Sequence, residues 1–350
     1  MRVNEVVEIT RGKLLSAPSI TEFSRIICHV EQVQRGDLFI ARDCEQISQA
    51  VSAGAYGIIY DSAQQEMEDK EIAWIAVDNI QDSLIRLIRY KLLAKNITTI
   101  SLNPIEEAIA REIIDDSSVK FSSHSLEDII ELLNDEISSI ITHNESVLEI
   151  SFEVICASTP SKRPFLLLSH TLFDSTIFYK SAHYRINLPK IFFNELASVL
   201  ALCENRQISH DVARFKHIPY FKPNFLNAFG KIIEYGQASK VAIAEEDIEQ
   251  FKKYMAYIAN NAAWGKFLFL VPLVYLELFN QIAQTFAYQT QEELCEYIHT
   301  QNFNFALVLG INDEVLTHAL NTNHKQILEP DLFSNLWSEE PQDAQVEQHE

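Results

Sequence analysis

The chain has 350 residues, 47% of them hydrophobic and 22% charged, a balance that suits a globular protein of two or three domains with sizeable cores. Its net charge of -21 repels phosphate backbones and argues against a general nucleic-acid role, while leaving room for a local basic pocket that takes one phosphorylated ligand. Only 8 residues are glycine, which disfavours any mechanism built on a glycine-rich phosphate loop.

The five cysteines, Cys28, Cys44, Cys156, Cys203 and Cys295, include no CxxC pair. They read as reduced thiols of a cytoplasmic protein, with no zinc or other metal site expected. The opening "MRVNEVVEITRGKLL" has no continuous apolar run, so no signal peptide is expected. The most apolar stretch, "FLFLVPLVYLELF" from Phe267 to Phe279, is too short to span a bilayer and reads as a strand running into a buried helix.

Residues 1–95 read as one α/β unit. "DLFIA" is a strand, "CEQISQAVSA" a helix closed by Gly54 as a left-handed cap, and "YGIIYD" and "IAWIAV" are further strands. Asp78 or Asn79 caps the helix "DSLIRLIRYKLLAKN". Gly54 and Gly57 therefore fall after a helix, where they end and pack it, and not before one, where they would cradle a phosphate.

Residues 96–235 form a second region. The strand "NITTISL" leads into a helix from Pro104 to about Ile114, and "LEDIIELLNDEISSII" reads as one continuous helix from Leu126 to Ile141. "SVLEISFEVICAS" reads as a strand, "FLLLSHTLFDSTIFYKSAHYRINLP" as paired strands and "KIFFNELASVLALCEN" as a helix. The third region, 236–337, alternates "SKVAIA", "EEDIEQFKKYMAYIANN", "GKFLFLVP" with a helix after it, "TQEELCEYIHTQN" opening on a threonine cap, and "FNFALVLG". Residues 338–350 carry five carboxylates and no Lys or Arg, the composition of a disordered acidic tail. The expected class is thus multi-domain α/β, with mostly parallel sheets flanked by helices.

The segment "FSR" (Phe23, Ser24, Arg25), "VQRGDLFIA" and "AVSAGAYGIIYD", followed by "IAWIAVDNIQDSLIRLIRYKLL", resembles the first domain of the Mur ligases. Those enzymes add amino acids or dipeptides to UDP-N-acetylmuramate at the expense of ATP. The likeness covers about a fifth of the chain, residues 20–95. It implies that Ser24 and Arg25 contact the diphosphate or uracil of a UDP-linked ligand. The alternative is a turn residue and a surface charge. Two departures stand out: the family's "DSR" aspartate is Phe23 here, and its following glycine- and histidine-containing loop is replaced by "RDCEQI".

The family's ATP loop, "T-G-x-x-G-K-T-T", should follow the strand "ITTIS". In its place stands "LNPIEEAIAREII", so the two glycines align with Leu102 and Ile105 and the lysine with Glu106. A phosphate loop needs glycines so that N–H groups can close on the phosphates, and a lysine to neutralise them. A carboxylate there repels ATP, and Pro104, Glu106 and Glu107 suit an ordinary helix start. The family's metal-binding glutamate and histidine and its modified lysine have no evident counterpart.

Three other groupings carry side chains capable of chemistry. His170, Asp174 and His183 could form a metal or catalytic site, or lie on the polar faces of strands. "EEDIEQF" from Glu245 follows a strand end, where α/β sites lie, but equally suits a helix N-terminus. Arg214, Lys216, His217 and Lys222 could meet a phosphate or an acidic partner, or belong to a packed loop. The leading expectation is a catalytically degenerate Mur-ligase-like protein without a cofactor, binding a UDP-N-acetylmuramyl precursor or a peptidoglycan-synthesis protein as scaffold or regulator. The alternatives are an active precursor ligase or another enzyme with a non-standard site, and a pure interaction module. The last would be marked by an exposed apolar patch and an N-terminal cleft filled by Phe23.

Overall fold

A computed structural model describes residues 1–16, 18–61, 69–122, 125–228, 230–234, 236 and 238–322. The acidic tail, 338–350, lies outside the described residues. The chain divides into two compact units, Met1–Pro219 and the residues from Tyr220 onward.

The first unit opens with α1 (Val3–Thr10), β1 (Lys13–Leu14), β2 (Ile26–Ile27), β3 (Leu38–Ile40), α2 (Cys44–Ala53), β4 (Gly57–Tyr60), β5 (Ala73–Ala76) and α3 (Ile80–Ala94). Their sheet runs β1-β5-β4-β3-β2, with β2 to β5 parallel and β1 antiparallel at one edge. The strands β3 and β4 are buried along their whole length, which is why they read as short unbroken apolar runs. Gly54 ends α2 at φ 95°, a left-handed cap whose N–H reaches back to the Ala50 and Val51 carbonyls. A Cβ on Gly57 would lie 2.5 Å from the Phe23 ring, so this glycine lets the buried ring sit against the strand. Asn79, and not Asp78, caps α3 by accepting the Asp82 N–H at 2.9 Å.

The second sheet follows with β6 (Thr98–Ser101), α4 (Pro104–Ile113), β7 (Val119–Phe121), α5 (Leu126–Leu132), β8 (Ser139–Thr142), α6 (Glu145–Ile150) and β9 (Val154–Cys156). All four strands are parallel, in the order β7-β8-β6-β9. Two expectations are corrected here. The helix expected to run from Leu126 to Ile141 stops at Leu132, and Ile140 and Ile141 belong to β8, an interior strand where both are fully buried. A strand covered on both faces is apolar at successive positions. In this case those positions fell in phase with the stripe of the preceding helix. The segment read as one strand from "SVLEIS" onward begins instead as α6, because Asn144 accepts the Ser146 N–H and starts a helix there.

The unit ends with an antiparallel sheet of β10 (Leu166–His170), β11 (Ser175–Tyr179) and β12 (Ala182–Ile186), then the largely buried α7 (Phe193–Arg206). The paired strands and the helix expected there are both present.

The second unit comprises β13 (Asn224–Leu226), β14 (Lys240–Glu245), α8 (Ile248–Asn261), β15 (Phe267–Pro272), α9 (Leu276–Asn280), β16 (Thr285–Tyr288), α10 (Gln291–Thr300), β17 (Phe305–Leu309) and α11 (Asp313–Thr322). The sheet order is β13-β14-β17-β15-β16, parallel except for β13. Thr290 caps α10 through the Glu293 N–H. The helix expected to be buried after β15 is short, and Phe279 is its only buried side chain. Among the described residues, no helix is long and apolar enough to cross a membrane.

Candidate functional site

The first sheet ends at β2, and the residues entering that strand are Phe23, Ser24 and Arg25. Ser24 donates its N–H to the Gly36 carbonyl at 2.9 Å. Arg25 forks onto Asp37, with Nε at 3.1 Å and Nη2 at 2.6 Å, and Nη2 also reaches the Gln32 carbonyl. Asp37 is the aspartate of "GDLF" and is only 1% exposed. It accepts the Gln34 N–H as well, so one buried carboxylate fixes both the turn and the guanidinium. The hydrogen bond to Asp37 raises the already high pKa of Arg25, and the side chain is a permanent cation with one face in solvent.

Ser24 and Arg25 line one cleft of about 240 Å³, together with Tyr90, Lys91, Lys95 and Asn134. Lys91 and Lys95 lie one turn apart at the end of α3. Lys91 Nζ donates to Asn134 Oδ1 at 2.6 Å, and Lys95 Nζ donates to the Leu133 and Asp135 carbonyls at 2.8 Å each. Burial, reinforced by the neighbouring Lys95 charge, lowers the Lys91 pKa to about 8. Asn134 in turn holds β2, accepting the Ile26 N–H and donating to the Ile26 carbonyl. Phe23 is buried and forms part of the cleft wall, so it does not fill the space as one alternative required. Nothing in the order of residues singles out Lys91 and Lys95 as site residues. Their only trace is an i, i+4 pair of lysines in an acidic chain.

On the other side of Arg25 lies a second cleft of about 440 Å³, walled by Asp128, Glu131 and Asp135. Glu131 Oε1 accepts the Cys28 and His29 N–H groups and touches His29 Nδ1 at 3.0 Å. Burial and the Glu131 charge push the Cys28 thiol up to about 12, which leaves it protonated and unreactive. The smaller cleft sets Arg25, Lys91 and Lys95 against one carboxylate, Glu5, whereas the larger sets Asp128, Glu131 and Asp135 against Arg25, so an anion is better matched by the smaller.

At the positions aligned with the phosphate loop, β6 passes into α4 through Leu102 and Asn103 alone. Asn103 Oδ1 accepts the Ile105 and Glu106 N–H groups at 3.0 and 2.9 Å, and Glu106 Oε2 accepts the Asn103 N–H at 3.0 Å. The Glu107 N–H goes to the Asn103 carbonyl, and Pro104 has no N–H. This reciprocal capping box consumes the donors that a phosphate would use. Leu102 is buried and Ile105 half-buried.

One turn further, buried Glu107 pairs with Arg111 and with His143 Nδ1, each at 2.5 Å, and Arg111 lies 4.5 Å above the Phe121 ring. His143 follows β8, at the strand ends where α/β proteins place their sites. The sequence reading missed this grouping, whose members are separated by up to 36 residues.

The remaining groupings do not converge. His170 pairs with Ser175 at one end of β11 while His183 pairs with Phe178, three residues along, or roughly 10 Å. Asp174 is committed to Thr171 and Arg185. Burial opposes its charge, yet those hydrogen bonds outweigh it and hold the carboxyl below its usual range. No group of three potential metal ligands occurs among the described residues. Glu245 is buried at the end of β14 and accepts the Asp247 N–H, and burial raises its pKa. Arg214 caps the Ile114 carbonyl, Lys216 donates its N–H to Glu112, and Lys222 pairs with Asp313 at 2.7 Å, as in a packed loop.

No protein-family model matches the chain, and no curated protein matches it. Solved structures do. The MurF ligase from Thermotoga maritima in complex with ADP matches with a TM-score of 0.55 at 12% identity, over 85% of this chain and 96% of that one. Crystal structure I of MurF from Acinetobacter baumannii matches with a TM-score of 0.55 at 11% identity, over 91% and 97%. A further structure, the UDP-N-acetylmuramoylalanyl-D-glutamyl-2,6-diaminopimelate–D-alanyl-D-alanyl ligase from Acinetobacter baumannii, matches with a TM-score of 0.53 at 10% identity, over 91% and 97%. Identities this low carry architecture and not chemistry. The chain has the Mur ligase fold.

Proposed function

We propose that this chain is a catalytically degenerate, cytoplasmic relative of the Mur ligases that binds a UDP-linked peptidoglycan precursor and acts as a scaffold or regulator of that pathway. Residues 1–95, 96–235 and 236–337 would be the counterparts of the family's three domains. The observation that carries the reading is the convergence of Arg25, Lys91 and Lys95 on one small cleft in a chain of net charge -21. A diphosphate matches that charge, and Ser24 offers a hydroxyl beside it. The cleft of about 240 Å³ is smaller than the ~300–1,000 Å³ typical of whole-ligand pockets, so it would take the diphosphate with the sugar and base lying outside. Loss of ATP-driven ligation is supported by the capping box at Asn103 and by the Glu106 carboxylate where a phosphate-binding lysine would stand.

Calorimetric titration with UDP-N-acetylmuramyl-peptide, alongside ATP with magnesium, tests both parts. The expected result is precursor binding that weakens at least tenfold in a Lys91→Gln/Lys95→Gln variant, with no heat from ATP. Binding of ATP would revive the ligase reading. Silence with the precursor would remove the cleft as its site.

A further inference from the structure

In the second unit, Leu273, Val274, Tyr275, Leu278 and Ile282 stand side by side in sequence after β15. Val274 is 79% exposed, Ile282 60% and Leu273 52%. A segment following a parallel strand ordinarily turns its apolar residues onto the sheet. Here Phe279 is the one fully buried side chain, packing edge-on against Phe251 of α8 with ring centroids 5.2 Å apart, and Leu276 is half-buried. Leu273, Val274, Tyr275, Leu278 and Ile282 are left facing water, an arrangement that marks a binding surface. Leu273 also forms one wall of a cleft of about 460 Å³ that contains Glu293, Glu296 and Tyr297 of α10. Neither carboxylate has a cationic partner among the described residues: Glu293 accepts the Gln289 N–H, and Glu296 is exposed.

The segment that builds this surface carries charge of one sign, although Lys222 from outside it pairs with Asp313. From Phe267 to Thr322 the chain contains no Lys or Arg, but it carries Glu277, Glu292, Glu293, Glu296, Asp313 and Glu314. A second copy bound through a twofold axis would set this acidic rim against itself, and an anionic lipid surface would be repelled. A helix that presents an apolar stripe flanked by Lys or Arg meets both features at once. Its stripe covers Leu273, Val274, Leu278 and Ile282, and a basic side chain enters the adjoining cleft. We propose that this face is a docking site for a basic amphipathic helix of another protein. The proposal is independent of the precursor cleft, so it survives if the precursor does not bind.

The test is selection of random 16-residue phage-displayed peptides on the full chain, with counter-selection on a Val274→Ser/Leu278→Ser variant. That variant keeps every charge, and its folding is checked by its thermal melt. The expected outcome is enrichment of sequences with Leu, Ile or Phe at helical spacing beside Lys or Arg. A synthetic version of the winner should bind at least tenfold more weakly to the double-serine variant and to Glu293→Gln/Glu296→Gln. Its scrambled form should lose binding to the same degree. Equal binding to the double-serine variant, or by the scrambled peptide, would reduce the effect to bulk charge and overturn the proposal. So would enrichment of neutral or acidic sequences, or no enrichment over the variant. Sedimentation showing a dimer that the double-serine variant dissolves would assign the face to a second copy instead.

Discussion

Two strand ends in the first unit handle their polar groups in opposite ways. Between β6 and α4, every early helical donor is spent within four residues: Asn103 takes two N–H groups, Glu106 returns one, and proline supplies none. Beside β2, the cations are held but not exhausted. Arg25 is fixed by Asp37, while Lys91 and Lys95 lean on Asn134 and two backbone carbonyls and still line a cleft. A local motif closes a site and a long-range assembly leaves one open. The short motif satisfies itself, whereas groups brought together across the fold have capacity left over.

This contrast can be broken in order of expected effect. Arg25→Ala strands the buried Asp37 carboxylate. The full penalty for such a loss is discounted here because the guanidinium is partly in solvent, so denaturant unfolding should show a loss of about 2 kcal/mol. A loss under half that size would mean that Arg25 is not the anchor of the turn. Asn103→Ala removes a helix cap and should cost about 1 kcal/mol in the same assay. It should not create ATP binding, because Glu106 remains; a calorimetric ATP signal in that variant would show that the cap alone had blocked the site. The smallest effect concerns pH. Lys91 has its pKa lowered to about 8, so it is protonated at pH 7 and mostly neutral at pH 9. Precursor affinity should therefore fall by about threefold over that interval, as the site loses part of one charge. A Lys91→Gln variant should titrate flat; an equal fall in it would assign the effect to another group.

Much of the architecture was readable from the order of residues, because helix caps and alternating βα units are local. Gly54, Asn79 and Thr290 mark helix ends within a few residues of where those ends occur. The failures have physical causes. Ile140 and Ile141 continued a helical stripe by coincidence of phase, and nothing local distinguishes an interior strand from a buried helix turn. Leu278 and its neighbours look like core by composition, yet they face outward because a five-residue helix can turn little of its circumference inward. The site was half legible. Ser24 and Arg25 could be singled out from a motif, but Lys91 meets Asn134 across 43 positions and Glu107 meets His143 across 36. No windowed reading of the sequence joins such pairs.

Asn134 also bears on how the molecule behaves among its own copies. β2 is the outermost strand of its sheet, and an outermost strand offers unpaired backbone groups to any chain that drifts alongside. The amide of Asn134 engages both the N–H and the carbonyl of Ile26, and Glu131 takes the next two N–H groups that follow the strand. Side chains thus stand in for a missing neighbour. The residues that shape the cleft also seal the seam along which a crowded solution of this protein would otherwise begin to knit itself together.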